Sequence, residues 1–233
     1  MSLKTIIEAK DRQFQSMLNK FDKEFTSLTV DAQKQIMSLF RRGDFTMESM
    51  SAITQEYDGL IQEWTIRNQE AIKYTKQMAD EMGVKFAITK ETVKNFDLIQ
   101  DINTEALSNN MKSFITDMRK FGMSARLEGK NIGEITIGLE DKFAALGRRL
   151  NTEAYTGIRQ ADAIVKKDFF ENAGIELYVY DGPGDNKTRD DCLNTLQDPR
   201  QSTGWTIEEI NSSNTPFIER GGYNCRHEWM PFV

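Results

Sequence analysis

The stretch LGRRLNTEAYTGIRQADAIVKKDFFENAG sets Leu146, Leu150, Ala154, Ile158, Ala161, Val165 and Phe169 at successive steps of three and four residues. Only an α-helix turns that spacing into one continuous face. Gly174, just beyond, is free to take the left-handed conformation that closes a helix. A chain carrying this segment must bury one long stripe, so it has to supply other helices to bury it against.

The first half supplies them. Leu3, Ile6, Ile7, Phe14, Met17, Leu18, Phe21, Phe25 and Leu28 share one helical face, and Ile36, Leu39 and Phe40 predict a shorter helix stopped by Gly43 and Asp44. Met47, Met50, Tyr57, Leu60, Ile61, Trp64, Tyr74, Met78 and Met82 predict a long helix ending at Gly83. The alternation Val84, Phe86, Ile88 permits a short strand. Leu107, Met111, Phe114, Ile115 and Met118 mark another helix, closed near Gly122. In LEGKNIGEITIGLEDKF, Ile135 and Ile137 fit a strand, whereas Ile132, Leu139, Phe143, Leu146 and Leu150 fit a helix slightly better.

After Gly174 the pattern changes. IELYVY alternates as a half-buried strand does, with Ile175, Leu177 and Val179 on one face and Glu176, Tyr178 and Tyr180 on the other. DGPGDNKT is a turn cluster, Thr206 and Glu209 have capping-box spacing, and CRHEWMPF reads as a last short strand. The expected fold is α+β and mostly α-helical. Residues 1–174 form a helical body, with a candidate sub-boundary near 83–104, and 175–233 form a small α+β tail module.

Composition narrows the function. With 233 residues, 39% of them hydrophobic, there is material for a real core. No apolar run is long enough to span a bilayer, and the charged start MSLKTIIEAKDRQF lacks a signal peptide's apolar segment, so no membrane partner is expected. Two cysteines make no disulfide framework, and a reducing cytoplasm is the expected setting. A net charge of −6 argues against a surface that is one nucleic-acid footprint. Within that total, residues 112–167 hold eleven Lys/Arg against seven Asp/Glu. Any DNA contact therefore falls on that segment, whose bland reading is a solvated charged face.

Five pieces in order carry a resemblance: RLNTEAYTGIRQADA, NAGIELYVYDGPGDNKTRDDCL, PF, GGYNCRHEW and the proline that follows. Over roughly Arg149 to Pro231 the chain resembles the Mu F-like minor head proteins of tailed bacteriophages, also called phage head morphogenesis proteins. Arg149, Thr152, Glu153 and Ala154 are similar to that family's helix motif. Asp185, Thr188, Arg189 and Cys192 are similar to its turn motif. Cys225, Arg226 and His227 are similar to its terminal Cys-Arg-Cys, with histidine replacing the last cysteine. The resemblance implies a minor head protein associated with the portal during capsid assembly, with capsid or scaffold protein as further partners. It implies a place in the virion, inside the head near the portal, after assembly in the host cytoplasm, and a part in DNA packaging or ejection.

Cysteine and histidine are interchangeable as zinc ligands, so the Cys-to-His departure keeps a donor in place. Three readings of Cys192, Cys225 and His227 stay open: a zinc-stabilised tail, a metal-free tail with buried thiols and a locally bonded histidine, and a redox or catalytic group. A fourth zinc ligand would be water or a carboxylate such as Asp185 or Asp190. Asp185, Thr188 and Arg189 are expected to build the turn, with Arg189 bridging to a carboxylate such as Glu153. His227 is the one histidine, no oriented triad is visible, and GPGDNKT lacks the Gly-Lys-Ser/Thr form of a phosphate loop. The chain is therefore not expected to be an enzyme. The alternative is a nucleic-acid-binding or metal-dependent nuclease-like module using the Asp/Arg/Cys/His cluster.

Overall fold

A computed structural model describes residues 3–44, 46–83 and 85–232. The side chains of Leu3, Ile6, Ile7, Phe21, Phe25, Leu28 and Leu60 lie outside the described residues, as does Val84. Four long helices come first: α1 (Leu3–Arg42), α2 (Met47–Glu81), α3 (Lys90–Leu127) and α4 (Ile132–Asn172). The tail then adds β1 (Tyr178–Asp181), α5 (Asp190–Leu196), a 3-10 turn (Pro199–Ser202), α6 (Ile207–Asn211) and β2 (Glu228–Pro231). The fold is mostly helical α+β, as expected. Among the described residues, no helix is long and apolar enough to cross a membrane.

Several boundaries differ from the sequence reading. The first two expected helices are one, because TSLTVDAQKQ contains neither glycine nor proline and Ala32 continues the buried stripe into Ile36. Residues 85–89 form no strand; Phe86 packs edge-on against Phe169 at 5.2 Å, and the Thr89 hydroxyl accepts from the Thr92 N–H at 3.0 Å to cap α3. Gly122 lies inside α3, which closes instead at Gly129, where φ is +76° and the Lys130 N–H returns to the Ala125 carbonyl. Ile135 is buried and Ile137 is 68% exposed. On a strand they would share a face, but on α4 they stand roughly 200° apart.

Two compact units emerge. Unit 2 takes Met17–Ile66 and Asp101–Ala154. Its core is apolar: Leu18, Ile36, Phe40, Ile53, Trp64, Leu139, Phe143 and Leu150 are all buried, and each contributes about 1.5–3 kcal/mol by leaving water. Phe114 meets Phe143 edge-on at 5.1 Å, and the Trp64 Nε1–H donates to the Ala154 carbonyl at 3.0 Å.

Unit 1 is assembled from three pieces, Met1–Ser16, Arg67–Gln100 and Tyr155–Val233. The end of α4 at Asn172 marks where the tail begins in sequence, but the tail's core is continuous with helix side chains. Met78, Ala79, Ala163, Phe169 and Phe170 join Tyr178, Tyr180, Trp205, Ile210, Phe217 and Trp229 in one cluster. β1 and β2 pair antiparallel, Tyr178 opposite Pro231 and Asp181 opposite Glu228, and Trp205 adds a bridge to Tyr178. The tyrosine face of β1 is the buried one, and Leu177 is 37% exposed. Tyrosine suits that face because each hydroxyl finds a partner: Tyr178 donates to the Ile175 carbonyl at 3.1 Å, and Tyr180 reaches the two cysteine sulfurs. Thr206 and Glu209 form the expected capping box at the start of α6.

Candidate metal centre

Three elements converge beneath β1. Cys192 comes from α5, Cys225 and His227 from the segment leading into β2, and Tyr180 from β1 itself. Asn224, at φ +56°, turns the chain so that Cys225 and His227 face inward, and their residues precede β2 rather than lying on it, a correction to the strand expected there. The Asn224 N–H donates to the Thr156 hydroxyl on α4 at 2.9 Å, which anchors this segment.

The sulfurs of Cys192 and Cys225 are 3.8 Å apart, both thiols free and buried. Cys225 Sγ is 3.6 Å from His227 Nδ1, and the three donor atoms all lie within 4.8 Å of one another. His227 Nε2 is 2.9 Å from the Pro183 carbonyl oxygen. A carbonyl can only accept, so Nε2 carries the proton and, in the neutral ring, Nδ1 presents its lone pair to the sulfurs. Tyr180 stacks on the His227 ring at 5.3 Å, and its hydroxyl stands 3.5 Å from Cys192 Sγ and 3.6 Å from Cys225 Sγ.

Two glycines make the space. A Cβ on Gly221 would sit 2.1 Å from Cys192 Sγ, and one on Gly182 would sit 2.4 Å from the His227 ring. The electrostatics separate the thiols. Burial raises Cys192, and the charge of its neighbour Cys225 adds to that. Burial would raise Cys225 as well, but the backbone N–H of His227, the Tyr180 hydroxyl and the backbone N–H of Gly221 stabilise its thiolate and bring it down to about 7. Tyr180 is pushed up by burial and by the Cys225 charge, so it remains a neutral hydroxyl able to donate to sulfur.

The remaining sequence-predicted residues are structural neighbours. Arg226 clamps Asp185 with two bonds of 2.8 and 2.5 Å, and this pair holds the Asp185 carboxyl below the usual carboxylate range. Asp185 also accepts from the Lys187 N–H at 2.9 Å, and Thr188 donates to the Pro183 carbonyl at 2.6 Å. Arg189 donates to the carbonyls of Gly221 and Tyr223 and not to Glu153, a correction, because those carbonyls lie within its reach around the thiols. Glu153 accepts instead from Asn110 at 3.3 Å. Thr152 donates to the Arg148 carbonyl at 2.8 Å within α4, and Arg149 is exposed. Asp185 and Asp190 fall outside the donor group, so no carboxylate among the described residues completes it.

Sequence reasoning missed a charged network beside the cluster. Lys166 Nζ lies 2.5 Å from Glu228 Oε2 and 3.2 Å from Asp162 Oδ2, with Lys166 and Asp162 almost wholly buried. Arg159 approaches Glu228 at 3.9 Å and donates to Gln15 at 3.0 Å. Buried Arg220 is 3.4 Å from the His227 carbonyl. The signal was present: Asp162 and Lys166 are four residues apart inside the apolar stripe of α4, a spacing at which opposite charges pair.

A scan against models of known protein families finds no match to this chain, and a search of curated proteins finds none either.

Proposed function

We propose that this chain is a minor head protein of a tailed bacteriophage, a structural component that associates with the portal protein and with capsid or scaffold protein. In this reading it assembles in the host cytoplasm, ends inside the head near the portal, and takes part in DNA packaging or ejection. The support is the sequence resemblance over Arg149 to Pro231, together with the way the tail uses the residues that carry it. One observation carries most weight: Asp185 of the turn motif and Arg226 of the terminal motif, 41 positions apart, are joined by a two-pronged ion pair. Arg189 and Thr188 are likewise spent on backbone carbonyls of the same module. Residues engaged in this way build a scaffold, and the reading is therefore assembly rather than catalysis.

The nuclease-like alternative draws less support. Its acidic candidate, Asp185, is already neutralised by Arg226, and of the basic residues in 112–167, Arg159 and Lys166 turn inward to Glu228. Partner binding has a better candidate surface in unit 2, where Met123, Leu127, Ile132 and Ile137 are exposed around the α3–α4 turn.

The test is co-expression with the portal and scaffold proteins of the same gene cluster, followed by size-exclusion chromatography with light scattering. Comigration with the portal ring is expected, and Leu127→Asp should weaken it. Elution apart from portal and scaffold alike overturns the proposal.

A further inference from the structure

We propose that Cys192, Cys225 and His227 form a Zn²⁺ site with three protein ligands and a fourth position open to solvent. A tetrahedral zinc with Zn–S near 2.3 Å and Zn–N near 2.0–2.1 Å separates two sulfur ligands by about 3.8 Å, and a sulfur from a nitrogen by about 3.5 Å. The Cys192–Cys225 sulfur separation is 3.8 Å and the Cys225 Sγ to His227 Nδ1 separation is 3.6 Å. Two edges of the tetrahedron are thus already at length, and the third pair lies within 4.8 Å.

The surroundings match what a ligand set needs. The His227 Nε2–H is held by the Pro183 carbonyl, which fixes the ring's orientation and leaves Nδ1 as the donor toward the sulfurs. The Tyr180 hydroxyl and the Gly221 N–H can donate to thiolate sulfur, offsetting charge that two coordinated thiolates would otherwise bring into the interior. On binding, each thiol loses its proton to solvent and the two thiolates cancel the charge of the ion.

All three donors line a cavity of about 470 Å³ that is also lined by Lys187 and Arg189, and by Arg226, whose charge is paired with Asp185. The fourth ligand comes from that side, because Asp185 is held by Arg226 and no carboxylate among the described residues joins the donor group. Water fills the position, and the cationic lining favours its exchange for an anionic group. This inference stands apart from the head-protein reading, since it concerns the ligand set alone.

The experiment uses the full chain, purified under reductant, freed of metal by chelator and titrated with Co²⁺ and then Zn²⁺. One equivalent of Co²⁺ should give tetrahedral visible bands and a thiolate-to-cobalt charge-transfer band, both bleached by Zn²⁺. X-ray absorption at the zinc edge of unmutated protein should fit two sulfurs and two lighter donors. Cys192→Ser should halve the charge-transfer intensity. Because even second-sphere changes cost roughly 10–100-fold in affinity, Cys225→Ser and His227→Ala should weaken zinc by more than that, measured against a chromophoric chelator. Unmutated protein that develops no charge-transfer band overturns the proposal, as does a zinc edge lacking sulfur. Either result is independent of whether a variant folds.

Discussion

The two units bury different chemistry. Unit 2 is filled by apolar side chains of helices, from Leu18 to Leu150. The buried polar and charged residues described, Thr75, Thr92, Gln100, Thr156, Asp162, Lys166, Thr195, Thr215, Arg220 and His227, all fall in unit 1. An apolar core is held by buried area and tolerates swaps that conserve volume. A buried polar core is held by pairing, and it fails when one partner is taken away. The same kind of substitution should therefore have unequal consequences in the two units.

The largest contrast is expected at Lys166. Lys166→Met takes the nearest cation from Asp162 and Glu228, leaving Arg159 at 3.9 Å from Glu228, and should cost about 3–5 kcal/mol, whereas Leu139→Met in unit 2 should cost less than about 1.5 kcal/mol. Urea unfolding followed by circular dichroism measures both, and equal losses would remove the distinction. The pair also predicts a pH dependence. Burial opposes the Glu228 charge, but Lys166 and Arg159 outweigh it and lower its folded pKa. A depressed carboxylate contributes stability that is present above its unfolded pKa and lost as pH falls through the folded one. The urea midpoint should therefore drop on acidification through the carboxylate range, and Glu228→Gln should flatten that drop.

Legibility in the sequence follows the same division. The α4 stripe was readable because Leu146 to Phe169 obeys one period and every member is buried. The break expected after Leu28 and the stop expected at Gly122 were not there, since neither a weak helix former nor a single glycine ends a helix that tertiary packing holds. Gly129 ends α3 because it alone takes positive φ there, which composition does not announce. In unit 1 the reading brought Cys192, Cys225 and His227 together through motif resemblance, and the sulfurs do lie 3.8 Å apart. It missed the Asp162–Lys166 pair although their spacing of four on α4 was readable, and it could not find Glu228, whose contact with Lys166 depends on β2 returning beside α4 over 62 positions, a register no local pattern encodes. It set Tyr178 and Tyr180 on the face opposite Leu177 without marking which face is buried, because the partners for their hydroxyls become visible only in the folded tail.

Glycines offer the next contrast. Gly221→Ala drives a Cβ to 2.1 Å from Cys192 Sγ, where sulfur and backbone are both confined, and should cost about 1–3 kcal/mol. In unit 2, Gly138→Ala meets the tip of the Phe121 ring at 2.6 Å. That ring is half-buried, the atom met is its far tip, and alanine favours the helix by about 1 kcal/mol. Its net effect should be near zero. Thermal melting of both variants checks the pair, and a Gly138→Ala loss as large as that of Gly221→Ala would mean that α3 and α4 are as tightly constrained there as the thiol cluster. Between these lies Thr206→Ala, which removes the capping-box acceptor of α6 and should cost about 1 kcal/mol.

A similarly small effect on stability is expected at Leu127, and it sharpens the comparison from the opposite side. The residue is 87% exposed on the last turn of α3 in unit 2. Its side chain contributes almost nothing to a core built by area, so Leu127→Gln, which keeps helix propensity, should shift stability by no more than about 0.5 kcal/mol. The same exposure makes it a contact for another surface. If chains cover it by pairing with one another, the melting temperature of unmutated protein rises with protein concentration and that of Leu127→Gln does not. If its partner is a different protein, neither depends on concentration, and the substitution weakens comigration with the portal while leaving the melt unchanged. A single dilution series on both proteins therefore separates a residue that holds unit 2 together from one that unit 2 holds out to a partner.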